Sequence, residues 1–289
     1  MANGGLGYQY ARLSIAEKLI AINIVVFIVF GLLSNLVSPQ IIGWFELPAS
    51  LNRFLVQPWS IVTYGFLHGG IFHLLWNMYL LYITGRILLN LFDNKRFINI
   101  YFLGIIFGGL FFLLADVLFL QSNSVLVGAS AGVMAVLIFI CTYMPNHEVR
   151  IVFFNAKLWH IGVFVVLIDL LQISSGGSNF GGRVAHLGGA LLGYMYARQL
   201  MEGRDIGAGF SKFLDGIANT FKRSEKKAPL KTVYKSKTSS KSAKQSKAKH
   251  DKDSHQRQID TILDKISKSG YESLSKAEKD FLFKAGKQE

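Results

Sequence analysis

Three short polar clusters interrupt otherwise apolar stretches of this 289-residue chain, and they hold the side chains best suited to chemistry. The first reads His68-Gly-Gly-Ile-Phe-His73-Leu-Leu-Trp-Asn77, the second Gly128-Ala-Ser130-Ala-Gly132, and the third Ala185-His186-Leu-Gly-Gly189-Ala-Leu-Leu-Gly193. A serine hydroxyl becomes a nucleophile when a neighbouring base takes its proton, and acyl transfer also needs fixed donors for the oxyanion that forms. Ser130 offers the hydroxyl and His186 the base. The backbone N–H of Ser130, with the side chains of His73 and Asn77, offers the donors. His73 and Asn77 are four residues apart and share a helix face, whereas His68 lies five from His73 and points elsewhere. Gly128, beside the serine, leaves room for a substrate backbone. Each cluster alone has a plainer explanation: Gly128 and Gly132, like Gly189 and Gly193, form small-xxx-small packing faces, and the histidines could bond carbonyls or line a cofactor or proton path.

The elements that must hold these clusters are membrane-spanning helices. With 51% hydrophobic and 17% charged residues, the composition excludes one soluble domain and points to an all-α polytopic membrane protein. Leu19 to Val37 is nineteen residues without a charge, enough to cross a bilayer core and too long for a signal-peptide core. Residues 38 to 65, broken by Pro39, Pro48 and Pro58 and rich in aromatics, suit the membrane interface. Further spans are expected near 66–89, 97–120, 125–144 and 184–201, with one near 151–173 interrupted by Lys157, His160 and Asp169. That makes six. Before the tail, one side would carry Arg12, Lys18, Arg86, Lys95, Arg96, Arg150 and Lys157 and the other Arg53 and Arg183, so both termini are expected in the cytoplasm. This topology puts the outer ends of spans 2, 4 and 6 at His68, Ser130 and His186. Ionisable groups in a membrane mark function by default, and their common depth joins three weak signals into one site.

The net charge of +13 sits mostly in the tail, which holds 21 of the 31 Lys and Arg after residue 201. A polar linker of this kind suggests contact with anionic lipid rather than nucleic acid. The expected division is a cytoplasmic N-terminus at 1–18, a six-helix domain at 19–201, a basic low-complexity cytoplasmic linker at 202–258, disordered from about 222 to 258, and a small helical hairpin at 259–289. In the hairpin, Ile259, Ile262, Leu263 and Ile266 recur at helical spacing and Ser275 to Glu278 forms a capping box. One cysteine, Cys141, excludes a disulfide framework and a cysteine-built metal site, no HExxH segment offers zinc ligands, and no cofactor is implied. No acid has an evident position to orient His186, so a Ser-His dyad is expected. Asp169 reads as a buried structural or gate residue and Asp116 as an interfacial group.

At these residues the chain resembles the rhomboid family of intramembrane serine proteases. The likeness rests on His68-x4-His73-x3-Asn77 after Pro58-Trp59, on GASAG at 128–132 and on AHxGGxxxG at 185–193, in this order, and it covers roughly residues 15 to 201. It implies a six-transmembrane-helix bundle that hydrolyses peptide bonds in or next to transmembrane helices of membrane-protein substrates. Ser130 and His186 would be catalytic, His73 and Asn77 would face the oxyanion, and His68 would support them. It also implies a membrane-lying loop at 38–65, lateral substrate entry with the fifth span and the 174–183 loop as gate, and, among the bacterial members, the cell inner membrane. Three departures stand out: Ser60 replaces the usual arginine after Trp59, Ala131 the glycine after the nucleophile, and Met134 the aromatic residue that often stacks on the histidine. The competing readings are an inactive rhomboid-like protein that binds transmembrane helices, and a six-helix transporter.

Overall fold

The computed structural model describes residues 5–36, 40–120, 124–151, 154–176, 179–221 and 257–285. Six helices form the main body: α1 (Ile15–Leu36), α2 (Ile71–Leu91), α3 (Asn94–Ala115), α4 (Ser130–Tyr143), α5 (Leu158–Ser174) and α6 (Phe180–Met201). By length and composition two stretches, Ile15–Leu33 and Asn94–Phe119, could cross a bilayer; α4 and α5 are apolar but shorter. Local chemistry sets the helix starts. Ser14 and Glu17 form a reciprocal capping box at α1 (Ser14 N to Glu17 Oε2, 2.7 Å), Asp93 accepts the Arg96 N–H at 2.8 Å to start α3, and Asn179 accepts the Gly182 N–H at 3.2 Å to start α6.

At the centre stands α4, apolar on every side and buried from Ala131 to Cys141, as an all-round hydrophobic helix must be. The glycine faces bring α6 against it: a methyl added at Gly189 would collide with the Ala131 carbonyl and one at Gly193 with the Ala135 carbonyl. Helix α3 packs on both α4 and α6. By contrast α1, α2 and α5 leave large apolar side chains exposed, among them Val25, Ile28, Leu32, Phe72, Trp76, Phe164 and Leu171. A belt of that extent fits contact with hydrocarbon rather than water.

Several boundaries differ from those read in the sequence. Gly69 and Gly70 precede the second helix, so His68 lies ahead of it in extended chain rather than inside a span beginning at 66. The stretch read as the start of the fourth span holds strand β2 (Val125–Leu126), which pairs antiparallel with β1 (Leu47–Pro48). Residues before α5 form a hairpin, β3 (Glu148–Ile151) with β4 (Phe154–Lys157), whose β-branched and aromatic residues mimic a span. Asp116, read as an interfacial group, directly follows the last residue of α3 and is 4% exposed.

Part of the 202–258 linker is helical: α7 (Ala208–Phe221) carries Phe210, Phe213, Leu214 and Ile217 at helical spacing. It joins the body through a polar cluster in which Asp205 accepts from Tyr196 (2.6 Å), Arg96 (3.1 Å) and the Gly207 N–H (2.9 Å), while Asn99 bonds Ser211 at 2.7 Å. Of the disorder expected over about 222–258, residues 222–256 lie outside the described ones, and residues 257 and 258 begin a helix. A second unit, Ser224–Glu289, contains a helix over 257–269, labelled α8, and α9 (Lys276–Ala285). The capping box is formed there: the Ser275 N–H donates to Glu278 at 2.7 Å, and Glu278 also takes a bond from Lys265.

Candidate active site

The site is assembled on a knitted loop. Between α1 and α2, Gln57 Nε2 donates to the carbonyls of Gly43 (3.1 Å) and Glu46 (2.9 Å), Trp59 Nε1 to that of Trp44 (2.8 Å), and Thr63 Oγ1 to that of Phe45 (2.8 Å). These bonds supply the internal tie for which Ser60 has no side chain long enough. Tyr64 then anchors the loop to the bundle, donating its hydroxyl proton to the Ile105 carbonyl at 2.6 Å, and its own carbonyl accepts the Gly128 N–H at 3.0 Å. That last bond fixes the turn before Ser130. The turn requires glycine, because Gly128 has φ +128° and a methyl there would stand 2.8 Å from His73 Cε1 and 3.5 Å from Ser130 Oγ.

A cavity of about 430 Å³ opens at this point, walled by α2, α4, α5 and α6. Ser130, His186, His73 and Asn77 all line it. Ser130 is the first residue of α4, where backbone N–H groups have no intrahelical acceptor and the helix presents its positive end. Asn77 is 3% exposed and its Nδ2 donates to the His73 carbonyl at 2.9 Å, one turn back along α2. His68 stands one layer behind, its ring edge-on to that of His73 at 5.2 Å between centroids. Met134 lines the wall beside His186, in the place an aromatic would occupy.

The expectation that no acid orients His186 is overturned. Asp169 of α5 places Oδ2 3.1 Å from His186 Nδ1, while its Oδ1 accepts from Arg183 at 2.8 Å. It is buried, as expected, at 3% exposure, and it belongs to the site. An ionised carboxylate only accepts, so this contact suits a ring protonated on Nδ1, the tautomer whose Nε2 could serve as a base for Ser130. Residue spacing hid this contact, since Asp169 and His186 lie on different helices with the 175–179 connection between them. A usable signal was present in their chemistry: Asp169 is the one acid in an otherwise apolar helix, and Arg183 falls at the same end of the next. Of the gate loop, residues 177 and 178 lie outside the described ones; Asn179, in the left-handed conformation at φ 68°, borders the cavity. Among the described residues no group of three or more His, Cys, Asp and Glu could hold a metal ion.

The rhomboid domain, as a sequence family, matches residues 56–203, just over half of the chain and the whole of the cavity. This chain belongs to the rhomboid family. It is accordingly an integral membrane protein, and its rhomboid domain carries each of the candidate site residues. Residues 245–285 match a second family, one of unknown function (DUF6576). Among curated relatives, the zebrafish (Danio rerio) presenilin-associated rhomboid-like protein A, mitochondrial, is 29% identical over 154 residues, 52% of this chain and 38% of the relative. The rat (Rattus norvegicus) presenilin-associated rhomboid-like protein, mitochondrial, is 28% identical over 52% of this chain and 39% of its own length. The RHOMBOID-like protein 12, mitochondrial, of Arabidopsis thaliana is 26% identical over 50% and 47%. The matched region takes in less than half of each of these relatives. All three bear mitochondrial names, so the bacterial inner membrane expected above has no support from them.

Proposed function

We propose that this rhomboid is an intramembrane serine endopeptidase that cuts transmembrane proteins within, or just outside, their helices. The observation that carries the reading is the convergence of a helix-terminal serine, a histidine held from its Nδ1 side by Asp169 and two further polar side chains on one cavity. Ser130 Oγ attacks the scissile carbonyl carbon while His186 Nε2 takes its proton. The resulting oxyanion faces the Ser130 N–H and the side chains of His73 and Asn77. Collapse breaks the C–N bond, and His186 returns the proton to the leaving amine. Water then attacks the acyl-serine, its proton passing to His186 and on to Ser130 Oγ as the carboxylic product leaves. Gly128 keeps the approach to Ser130 open for a substrate backbone, and His68 supports His73 from behind.

The proposal includes six crossings, α1 to α6, with both termini cytoplasmic, supported by the bias of Lys and Arg among the connections. The cavity wall is shared between α2, through Trp76, and α5, through Phe164, both of them exposed, which supports entry from the lipid side. A substrate helix must unwind to present a carbonyl, so glycine, proline or other weak helix formers are expected near the cut. The basic tail would lie against anionic headgroups. The test uses the full chain in proteoliposomes with a panel of labelled single-span substrates, beside Ser130→Ala and His186→Ala, with and without EDTA. Cleavage that EDTA spares and both substitutions abolish is the expected result. Folded protein that binds the substrates and cuts none of them would replace the protease reading with that of a helix-binding rhomboid.

A further inference from the structure

The contact between Asp169 and His186 asks for an explanation beyond packing. Asp169 is the sole acid among the residues of α5, LWHIGVFVVLIDLLQIS, and is buried while Leu167, Leu170 and Leu171 around it are exposed. Burying a carboxylate is costly unless its oxygens are partnered. Arg183 alone could have taken both oxygens in a bidentate fork. Instead it takes Oδ1 at 2.8 Å and leaves Oδ2 for His186 Nδ1 at 3.1 Å. Helix α6 brings both donors within one turn, since Arg183 and His186 are three residues apart. His186 is thereby faced by Asp169 from α5, by Arg183 on its own helix, by His73 from α2 and by Ser130 from α4.

We propose that Asp169 is a positioning residue for the serine chemistry, holding His186 as the Nδ1–H tautomer with Nε2 available to Ser130, and that Arg183 holds the carboxylate in the orientation this requires. The inference rests on the protease reading above and deepens it, adding a third member, carried by the helix next to the entry side, to the expected Ser-His pair. A consequence follows from its placement. Because the acid rides on α5 while nucleophile and base ride on α4 and α6, alignment of His186 depends on α5 being seated against α6.

Asp169→Asn is the discriminating variant. Arg183 can only donate, so it will claim the amide oxygen and turn the amide NH2 toward His186 Nδ1, which must then accept; the proton moves to Nε2, and the base is lost. The full chain, 15N-labelled at histidine and reconstituted in lipid nanodiscs, reports the tautomer by NMR, with the His186 signal assigned by its loss in His186→Gln. The same samples report nucleophile reactivity as the rate of labelling by a fluorophosphonate. Wild type is expected to show the Nδ1–H ring, and Asp169→Asn the Nε2–H ring with labelling slower by at least about 100-fold, a wrong-tautomer loss of the kind serine triads show. Three results would overturn the proposal: a wild-type ring already protonated at Nε2, which decides the matter even if the variant does not fold; a variant that keeps the Nδ1–H ring; or labelling within about threefold of wild type. A folded wild type that labels nowhere is a different failure, and it strikes the protease reading itself.

Discussion

Two carboxylates held by arginine sit at opposite ends of the bundle and do opposite things. Asp205, just after α6, accepts from Arg96, from the Tyr196 hydroxyl and from the Gly207 N–H, and Asn99 and Ser211 close the cluster by bonding each other. These bonds tie residues of α3, the end of α6 and the start of α7 to one carboxylate and its neighbours, so the cluster fixes the three helices together. Asp169 has the same kind of arginine, but its second oxygen holds an imidazole whose far nitrogen borders a cavity shared with Ser130. The difference is that a network closed on itself stores stability, whereas a network ending in a titratable group beside open space can move a proton.

Substitutions at the two ends should separate cleanly. His186→Ala should lower fluorophosphonate labelling of Ser130, per folded molecule, by about 1,000-fold or more, as loss of a base does in serine hydrolases. Gly128→Ala forces a non-glycine residue to φ +128° and a methyl against the His73 ring, a strain of about 1–3 kcal/mol that should appear as roughly 10- to 100-fold slower labelling. At the other end, Asp205→Ala leaves Arg96 and Tyr196 without their acceptor. It should cost about 2 kcal/mol in a denaturation series while labelling per folded molecule stays at the wild-type rate. An Asp205→Ala protein that lost labelling without unfolding would erase the distinction.

Acid sharpens it further. Burial works against ionisation of Asp205, but the bonds from Tyr196, Arg96 and the Gly207 N–H outweigh burial and hold its carboxyl below the ordinary range. A depressed folded pKa means the stabilisation is complete above the unfolded value of about 3.9 and drains away as pH falls through the folded one. Melting of wild type relative to Asp205→Asn should therefore show a constant advantage from pH 8 to 5 that shrinks below about 4. The smallest effect is expected for Ser211→Ala, about 1 kcal/mol for its exchange of hydrogen bonds with Asn99, with activity unchanged.

How far the sequence revealed this molecule depended on the range of the interaction. The pairing of His73 with Asn77 and the packing faces at Gly189 and Gly193 follow from helical periodicity, and the structure has Ser130, His73, Asn77 and His186 lining one cavity. Local capping chemistry was equally readable at Ser275 and Glu278. Asp169 was not, because its partners Arg183 and His186 lie on the next helix and no periodicity spans a helix–loop–helix connection. Strand β4 and the last residue of β3 fell inside the span expected from about 151, since Ile151 and Phe154 carry the same apolar signal in a strand as in a membrane helix. Helix α7 was hidden by its setting: Phe210, Phe213 and Ile217 mark a helix, but Gly207, Gly209 and Gly216 and the basic run after it read as linker.

The central claim is that Ser130 is an activated nucleophile, and a covalent adduct tests it most directly. Wild type in proteoliposomes, treated with a fluorophosphonate and digested for mass spectrometry, should carry the adduct on the peptide containing Ser130, with none on that peptide in His186→Ala. An adduct found only on other serines, or equal modification of Ser130 in the two proteins, would contradict the account.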